Sequence, residues 1–250
     1  EFPSGDEKWL EEDSQIRLLR AVTKGELVVL PTDTVYGIGA DPFSHSAVGR
    51  LLGAKGRDQT MPPPVLGGLC EELLSLLDFT SLEQRDTVEQ RARELWPGPR
   101  TIIAPSKAQF GWDTESVNGT IAVRMPGSDL AISALRVTGP LAVTSANRTG
   151  MPAAQTLDEA REYFGDEVSV YIDGGASPLG RPSTIVDCSR SAPRVIRAGG
   201  VTAKQIEDLK SQRAEIADAI TSACEVILAK TPADSSLEED RKRFIDARKS

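Results

Sequence analysis

Short apolar runs that end in polar or glycine-containing sequence alternate with amphipathic stretches along this chain, and the alternation points to a sheet covered by helices. The run Leu27-Val28-Val29-Leu30 is rich in β-branched residues and breaks into Pro31-Thr32-Asp33-Thr34, which predicts a buried strand opening into a loop. Before it, Leu10, Ile16, Leu19 and Val22 recur at roughly helical spacing, and Gly25 supplies a stop for a helix over about 9–24. Further helices are predicted over 45–54, over 82–96 from a capping box at Ser81–Gln84 to Pro97-Gly98-Pro99, over 129–135 with Ser128 as N-cap, and from Thr156 to Phe164. Strands are predicted over 101–104, 121–124, 141–144, 168–172, 184–187 and 194–197. The expected fold class is α/β with one mixed sheet.

A last amphipathic helix starts at Thr202, with Ile206, Leu209, Ile216, Ile220 and Ile227 on one face, and the sequence beyond Lys230 reads as a charged tail. The expected organisation is a domain over 1–200, a helix packed on it over 201–230 and a tail over 231–250. No sustained a/d seam is present, so a monomer is expected.

Several function classes drop out on composition. No apolar run approaches membrane-spanning length. Three cysteines, Cys70, Cys188 and Cys224, stand far apart with no CxxC pair, which suggests neither a disulfide framework nor a zinc site. The first residues lack the basic and apolar regions of a secretory signal, and the expected compartment is the cytoplasm. His45 is the sole histidine and reads as a residue at a helix start rather than a catalyst. With 29 basic and 37 acidic residues the net charge is −8, unfavourable for a protein that holds RNA by its phosphates.

Chemistry must therefore come from local constellations. Lys55-Gly56-Arg57 follows a helix and precedes Pro62-Pro63-Pro64, so two long cations sit on a loop, either converging on a polyphosphate or standing as solvated surface charges. Ser145-Ala146-Asn147 leaves a strand end with a hydroxyl and a carboxamide, suited to phosphate or ribose or else to bonding its own turn. Arg124 and Arg197 each end a strand beside glycine-containing sequence, placed for an anion or for a surface ion pair. Thr32, Thr34, Thr120, Ser183 and Thr184 add hydroxyls at element ends. There is no GxGxxG, and Gly175–Pro182 lacks the lysine and hydroxyl of a P-loop.

In order along the chain, Leu30-Pro31-Thr32-Asp33-Thr34-Val35-Tyr36-Gly37, Lys55-x-Arg57, Trp96-Pro97-Gly98-Pro99, Ala122-Val123-Arg124-Met125-Pro126, Thr144-Ser145-Ala146-Asn147, and Pro182–Asp187 with Arg197-Ala198-Gly199 resemble the threonylcarbamoyl-adenylate synthase family. The resemblance covers about residues 15–200. It implies a YrdC-like fold, a twisted mixed sheet with a large concave basic face, and synthesis of threonylcarbamoyl-AMP and pyrophosphate from L-threonine, bicarbonate or CO2, and ATP. That is the first step toward N6-threonylcarbamoyladenosine in tRNA. It further implies that Lys55, Arg57, Ser145 and Asn147 surround the nucleotide phosphates, that Thr120 and Arg197 also contact ATP, and that Thr34, Arg124, Ser183 and the main chain of Val143 hold threonine. Mg²⁺ is implied on the phosphates, and a threonylcarbamoyl-transferase complex as the recipient of the product. Asp58, Leu66 and Arg100 depart from the family pattern, which more often has proline, a pocket histidine and an apolar residue there. Two rival readings are a tRNA- or duplex-RNA-binding module, disfavoured by the charge and by 5% aromatic residues, and the related domain of hydrogenase maturation proteins, which normally accompanies CxxC segments.

Overall fold

The computed structural model describes residues 12–56, 62–79, 82–114, 117–190 and 193–199. In chain order the first elements are α1 (Glu12–Thr23), β1 (Leu27–Leu30), β2 (Gly37–Ala40), α2 (His45–Lys55), β3 (Val65–Leu66), α3 (Cys70–Ser75) and α4 (Leu82–Leu95). They are followed by β4 (Arg100–Pro105), β5 (Thr120–Arg124), α5 (Asp129–Thr138), β6 (Leu141–Ser145), α6 (Leu157–Phe164), β7 (Val168–Tyr171), β8 (Thr184–Asp187) and β9 (Arg194–Arg197). The expected C-terminal helix at 201–230, the tail at 231–250 and the Ser81 cap lie outside the described residues.

Local chemistry sets the helix ends. Beyond α1, the Gly25 N–H reaches Val22 O and the Glu26 N–H reaches Ala21 O, both at 2.9 Å, so the last carbonyls of the helix are satisfied as the chain turns into β1. Ser44, Ser128 and Thr156 accept from the backbone N–H three residues on, capping α2, α5 and α6. In α6 the return arm of the capping box goes to Gln155, whose N–H meets Glu159 Oε2 at 2.6 Å.

The strands form one nine-stranded sheet in the order β7-β1-β2-β6-β3-β5-β4-β8-β9. Pairs β1–β7, β3–β5 and β4–β8 are parallel, and the others antiparallel. Both faces of β1 are covered, which is why it reads as a continuous apolar run. Val28 and Leu30 pack with Leu18 of α1 and Leu135 of α5, whereas Leu27 and Val29 pack with Leu51 of α2 and Phe164 of α6. A third apolar cluster, built on Val65, Ile102, Ile121 and Val123, receives Val88, Ala92 and Trp96 from α4 and its end.

Three elements were not anticipated. Two glycines in four residues hide β2, yet Gly37 is needed there, because a Cβ on it would stand 2.5 Å from Val143 Cγ1 on the neighbouring strand. The other two, β3 and α3, are only two and six residues long, too short for a periodic signal.

Candidate active site

A cavity of about 450 Å³ opens on the central strands β2, β6, β3, β5, β4 and β8. Strand alternation supplies most of its wall: Thr101 and Ile103 of β4 line it while Ile102 is buried, and Thr120, Ala122 and Arg124 of β5 line it, with Ile121 reaching its edge, while Val123 is buried in the core. Thr120 and Arg124 are four residues apart on one strand, so the cavity runs about 13 Å between them.

At the Arg124 end, an arginine is fixed from three sides. Its Nε donates to Gly98 O at 3.1 Å, Nη1 donates to Thr34 Oγ1 at 3.0 Å, and Nη2 donates to Asp33 Oδ1. Asp33 Oδ1 also accepts the Gly127 N–H at 2.9 Å. Of the five guanidinium N–H groups these contacts use three, which, among the described residues, leaves one on each terminal nitrogen. Arg124 is 5% exposed. Burial pulls its pKa below the usual value, Asp33 opposes that, and the like charge of Arg197 adds to it.

Arg197, on the edge strand β9, reaches back over β8. Its Nε and Nη2 donate to Ser183 O at 3.1 and 2.9 Å, and Nη2 also reaches Ser183 Oγ at 3.2 Å. Among the described residues no carboxylate pairs with it, and burial lowers its pKa. Ser183 Oγ meets Thr101 Oγ1 at 2.8 Å. Arg124 and Arg197 are the charged residues of the described cavity wall, and both are cations.

At the opposite end, Ser145 and Thr120 line the cavity, beside a wall built on Trp112. Trp112 stacks on Phe110 with centroids 4.7 Å apart, and Phe110 on Phe43 at 5.6 Å. Behind Ser145, the buried Lys55 Nζ donates to Ser145 O at 2.5 Å, Asn147 O at 2.7 Å and Asn147 Oδ1 at 3.4 Å. The Asn147 amide donates to Arg148 O and Met151 O, both at 2.8 Å. Lys55 and Asn147 thus brace the end of β6 that carries Ser145 rather than line the cavity.

The structure therefore brings Thr34, Thr120, Arg124, Val143, Ser145, Ser183 and Arg197 to one cavity and sets Lys55 and Asn147 against its Ser145 edge. Arg57 and Asp58 lie outside the described residues. Leu66 stands in the wall, while Arg100 is buried away from it. His45 is exposed at the start of α2 and contacts Gly111 O through Nδ1 at 2.8 Å, away from the cavity.

Sequence reasoning missed Asp33 as the partner of Arg124, Thr101 beside Ser183, and Trp112. Asp33 and Arg124 are 91 residues apart, so no spacing could pair them. For Thr101, a signal existed: on β4 it shares a face with Ile103, opposite the core residues Ile102 and Ala104.

Comparison with known proteins agrees with this fold. Residues 20–199 match the family described as Telomere recombination, which groups the Sua5, YciO and YrdC proteins. A Mycobacterium tuberculosis protein provisionally named a threonylcarbamoyl-AMP synthase is 42% identical over 189 residues, covering 76% of this chain and 85% of that one. A Pseudomonas aeruginosa protein named threonylcarbamoyl-AMP synthase is 35% identical over 170 residues, covering 67% and 89%. Among solved structures, Pyrococcus abyssi Sua5 complexed with L-threonine superposes with a TM-score of 0.71 at 31% identity, over 80% of this chain. This chain spans only 58% of that longer protein. The chain belongs to the Sua5/YciO/YrdC family.

Proposed function

We propose that the chain is an L-threonylcarbamoyladenylate synthase, an ATP-dependent nucleotidyltransferase. It converts L-threonine, bicarbonate or CO2, and ATP into threonylcarbamoyl-AMP and pyrophosphate in the cytoplasm, acting as a monomer. The observation that carries the reading is the two-ended cavity. An arginine with two N–H groups unspent among the described residues stands beside hydroxyls at one end, and hydroxyl-bearing strand ends with an aromatic wall form the other, about 13 Å away. The relatives' names and the threonine-bound relative support it.

In this reading the carboxylate of threonine takes the two remaining N–H groups of Arg124, a planar bidentate fit. The deprotonated α-amine, held between the two ends, combines with CO2 to give a carbamate, and the nitrogen gives up one proton to solvent. A carbamate oxygen attacks the α-phosphorus of ATP, the bond to the β-phosphate oxygen breaks, and pyrophosphate leaves. The nucleophile is already anionic, so no histidine or cysteine base is required. The wall's task is to hold three anionic groups together, carboxylate, carbamate and triphosphate, and meet the charge that builds on the α-phosphate. That task falls to Arg57 and Ser145 around the phosphates, with Lys55 and Asn147 holding the Ser145 edge in place from behind, to Thr120 and Arg197 on the nucleotide, and to Thr34, Ser183 and the Val143 main chain on threonine. The apolar face of Trp112 suits a flat base.

Mg²⁺ carried on the phosphates of ATP would neutralise part of their charge. Among the described residues no carboxylate lines the cavity and no group of three His, Cys, Asp or Glu is placed to hold a metal. The product is a mixed anhydride, and the proposed recipient is a threonylcarbamoyl-transferase complex acting on tRNA.

The test is incubation with ATP, Mg²⁺ and labelled bicarbonate, with threonine present or omitted, read by mass spectrometry. Threonylcarbamoyl-AMP and pyrophosphate should appear together and need both threonine and bicarbonate. Nucleotide binding without any such product would overturn the proposal.

A further inference from the structure

Thr34 lines the cavity between Arg124 and Thr32, and its hydroxyl has a single proton whose direction the neighbours decide. Thr32 Oγ1 lies 2.6 Å from the carbonyl of Val35. A carbonyl has no hydrogen, so Thr32 donates there and its one proton is spent. Thr32 Oγ1 also lies 2.9 Å from Thr34 Oγ1, and the proton in that contact must then belong to Thr34. Thr32 Oγ1 has two lone pairs: one takes the Thr34 proton at 2.9 Å, and the backbone N–H groups of Thr34 and Val35, at the longer distances of 3.2 and 3.3 Å, share the other. Arg124 Nη1 donates into Thr34 Oγ1 at 3.0 Å. Thr34 is left with no proton for a ligand and one lone pair to offer.

Ser183 has the opposite polarity. Arg197 Nη2 donates into its Oγ, and Thr101 Oγ1 is 2.8 Å away. Thr101 is 1% exposed, and that serine hydroxyl is its side-chain partner among the described residues. Were Ser183 the donor, the Thr101 proton would be buried without an acceptor, which is the costly arrangement. Thr101 therefore donates, and Ser183 keeps its own proton for the cavity.

We infer that the cavity reads its amino acid through two hydroxyls of fixed and opposite polarity, Thr34 accepting and Ser183 donating, with Thr32 as the positioning residue that fixes the Thr34 proton. The inference rests on the amino-acid reading above. Next to the two unspent N–H groups of Arg124, the Thr34 lone pair matches a molecule carrying a carboxylate beside an O–H or N–H donor. A second anionic oxygen at that spot would meet lone pair against lone pair.

Calorimetric titration of the full chain with L-threonine, with L-2-aminobutyrate, which lacks the hydroxyl, and with 3-hydroxybutyrate, which lacks the amine, tests this. Thr32→Val removes the acceptor and frees the Thr34 proton. The threonine Kd should rise about tenfold, the size of one lost hydrogen bond, while the ATP Kd stays unchanged. Thr32→Ser should restore threonine binding. The ligand indifferent to Thr32→Val identifies the group Thr34 reads: 2-aminobutyrate if it is the hydroxyl, 3-hydroxybutyrate if it is the amine. Equal weakening of all three ligands and ATP, or an unchanged threonine Kd, overturns the inference alone. A wild-type chain that binds ATP but not threonine overturns the amino-acid reading itself, and the inference with it.

Discussion

Cys188 follows β8 directly, and its N–H is tied to Ile103 O at 2.8 Å within the cluster built on Val65 and Ile102. Burial, with the Asp187 charge adding to it, pushes its thiol pKa up to about 11. A group raised in the folded state favours folding while it is protonated. Its contribution is therefore fully present below the unfolded value near 9 and is lost as pH rises toward 11. Denaturant titrations of wild type and Cys188→Ala should consequently run parallel below pH 8, with wild type losing about 2 kcal/mol more than the variant by pH 11. Parallel curves through pH 11 would mean that the thiolate is accommodated and the burial argument is wrong. The same low polarity acts on Arg124, but there Asp33, Thr34 and Gly98 supply partners, so the charge is retained and the group stays usable.

The β8–β9 hairpin carries Ser183 and Arg197 to the cavity, and its closure depends on Gly199. A Cβ there would stand 2.3 Å from Pro182 O and 2.4 Å from Thr184 N, backbone atoms that cannot swing aside. Gly199→Ala should cost about 1–3 kcal/mol of stability by denaturant titration and weaken threonine binding, because Pro182 and Ser183 must shift. Gly49, inside α2, has nothing within 4 Å of its missing Cβ, and Gly49→Ala should instead stabilise by about 0.5–1 kcal/mol. Equal effects of the two substitutions would rule out the close approach as the reason for Gly199. Elements of this kind divide by how they announce themselves. Buried strands such as β1 and β6 carry β-branched runs, and capped helices such as α5 carry Ser128, so periodicity and caps reveal them. By contrast, β2 exists because Val143 on β6, paired with Gly39 and diagonal to Gly37, leaves no room for a Cβ at Gly37, a reason that lies 106 residues away. The cavity divides the same way. Arg124 and Arg197 were legible as strand-end arginines, whereas Asp33 and Thr101 became functional neighbours only through the sheet order, which single strands do not encode.

At the scale of the whole molecule two charge patterns oppose each other. The chain carries a net charge of −8, while the charged residues of the described cavity wall are Arg124 and Arg197. At about 0.15 M salt the screening length is roughly 8 Å. An anion seated in a cavity of about 450 Å³ therefore responds mainly to the wall, and a polymer too wide to enter responds mainly to the outer surface. A duplex RNA must neutralise several phosphates to bind with useful strength. The proposed enzyme and the RNA-binding alternative then separate in one competition experiment. ATP binding, followed by calorimetry at about 0.15 M salt, should change less than twofold when excess tRNA or duplex RNA is added, whereas pyrophosphate should compete directly. Displacement of ATP by RNA at comparable concentration would place the polymer on the same cations and favour the binding-module reading. Under the proposed chemistry the tRNA is met only later, by the transferase that receives the adenylate, so this cavity has to accommodate three anionic groups on small molecules and nothing longer.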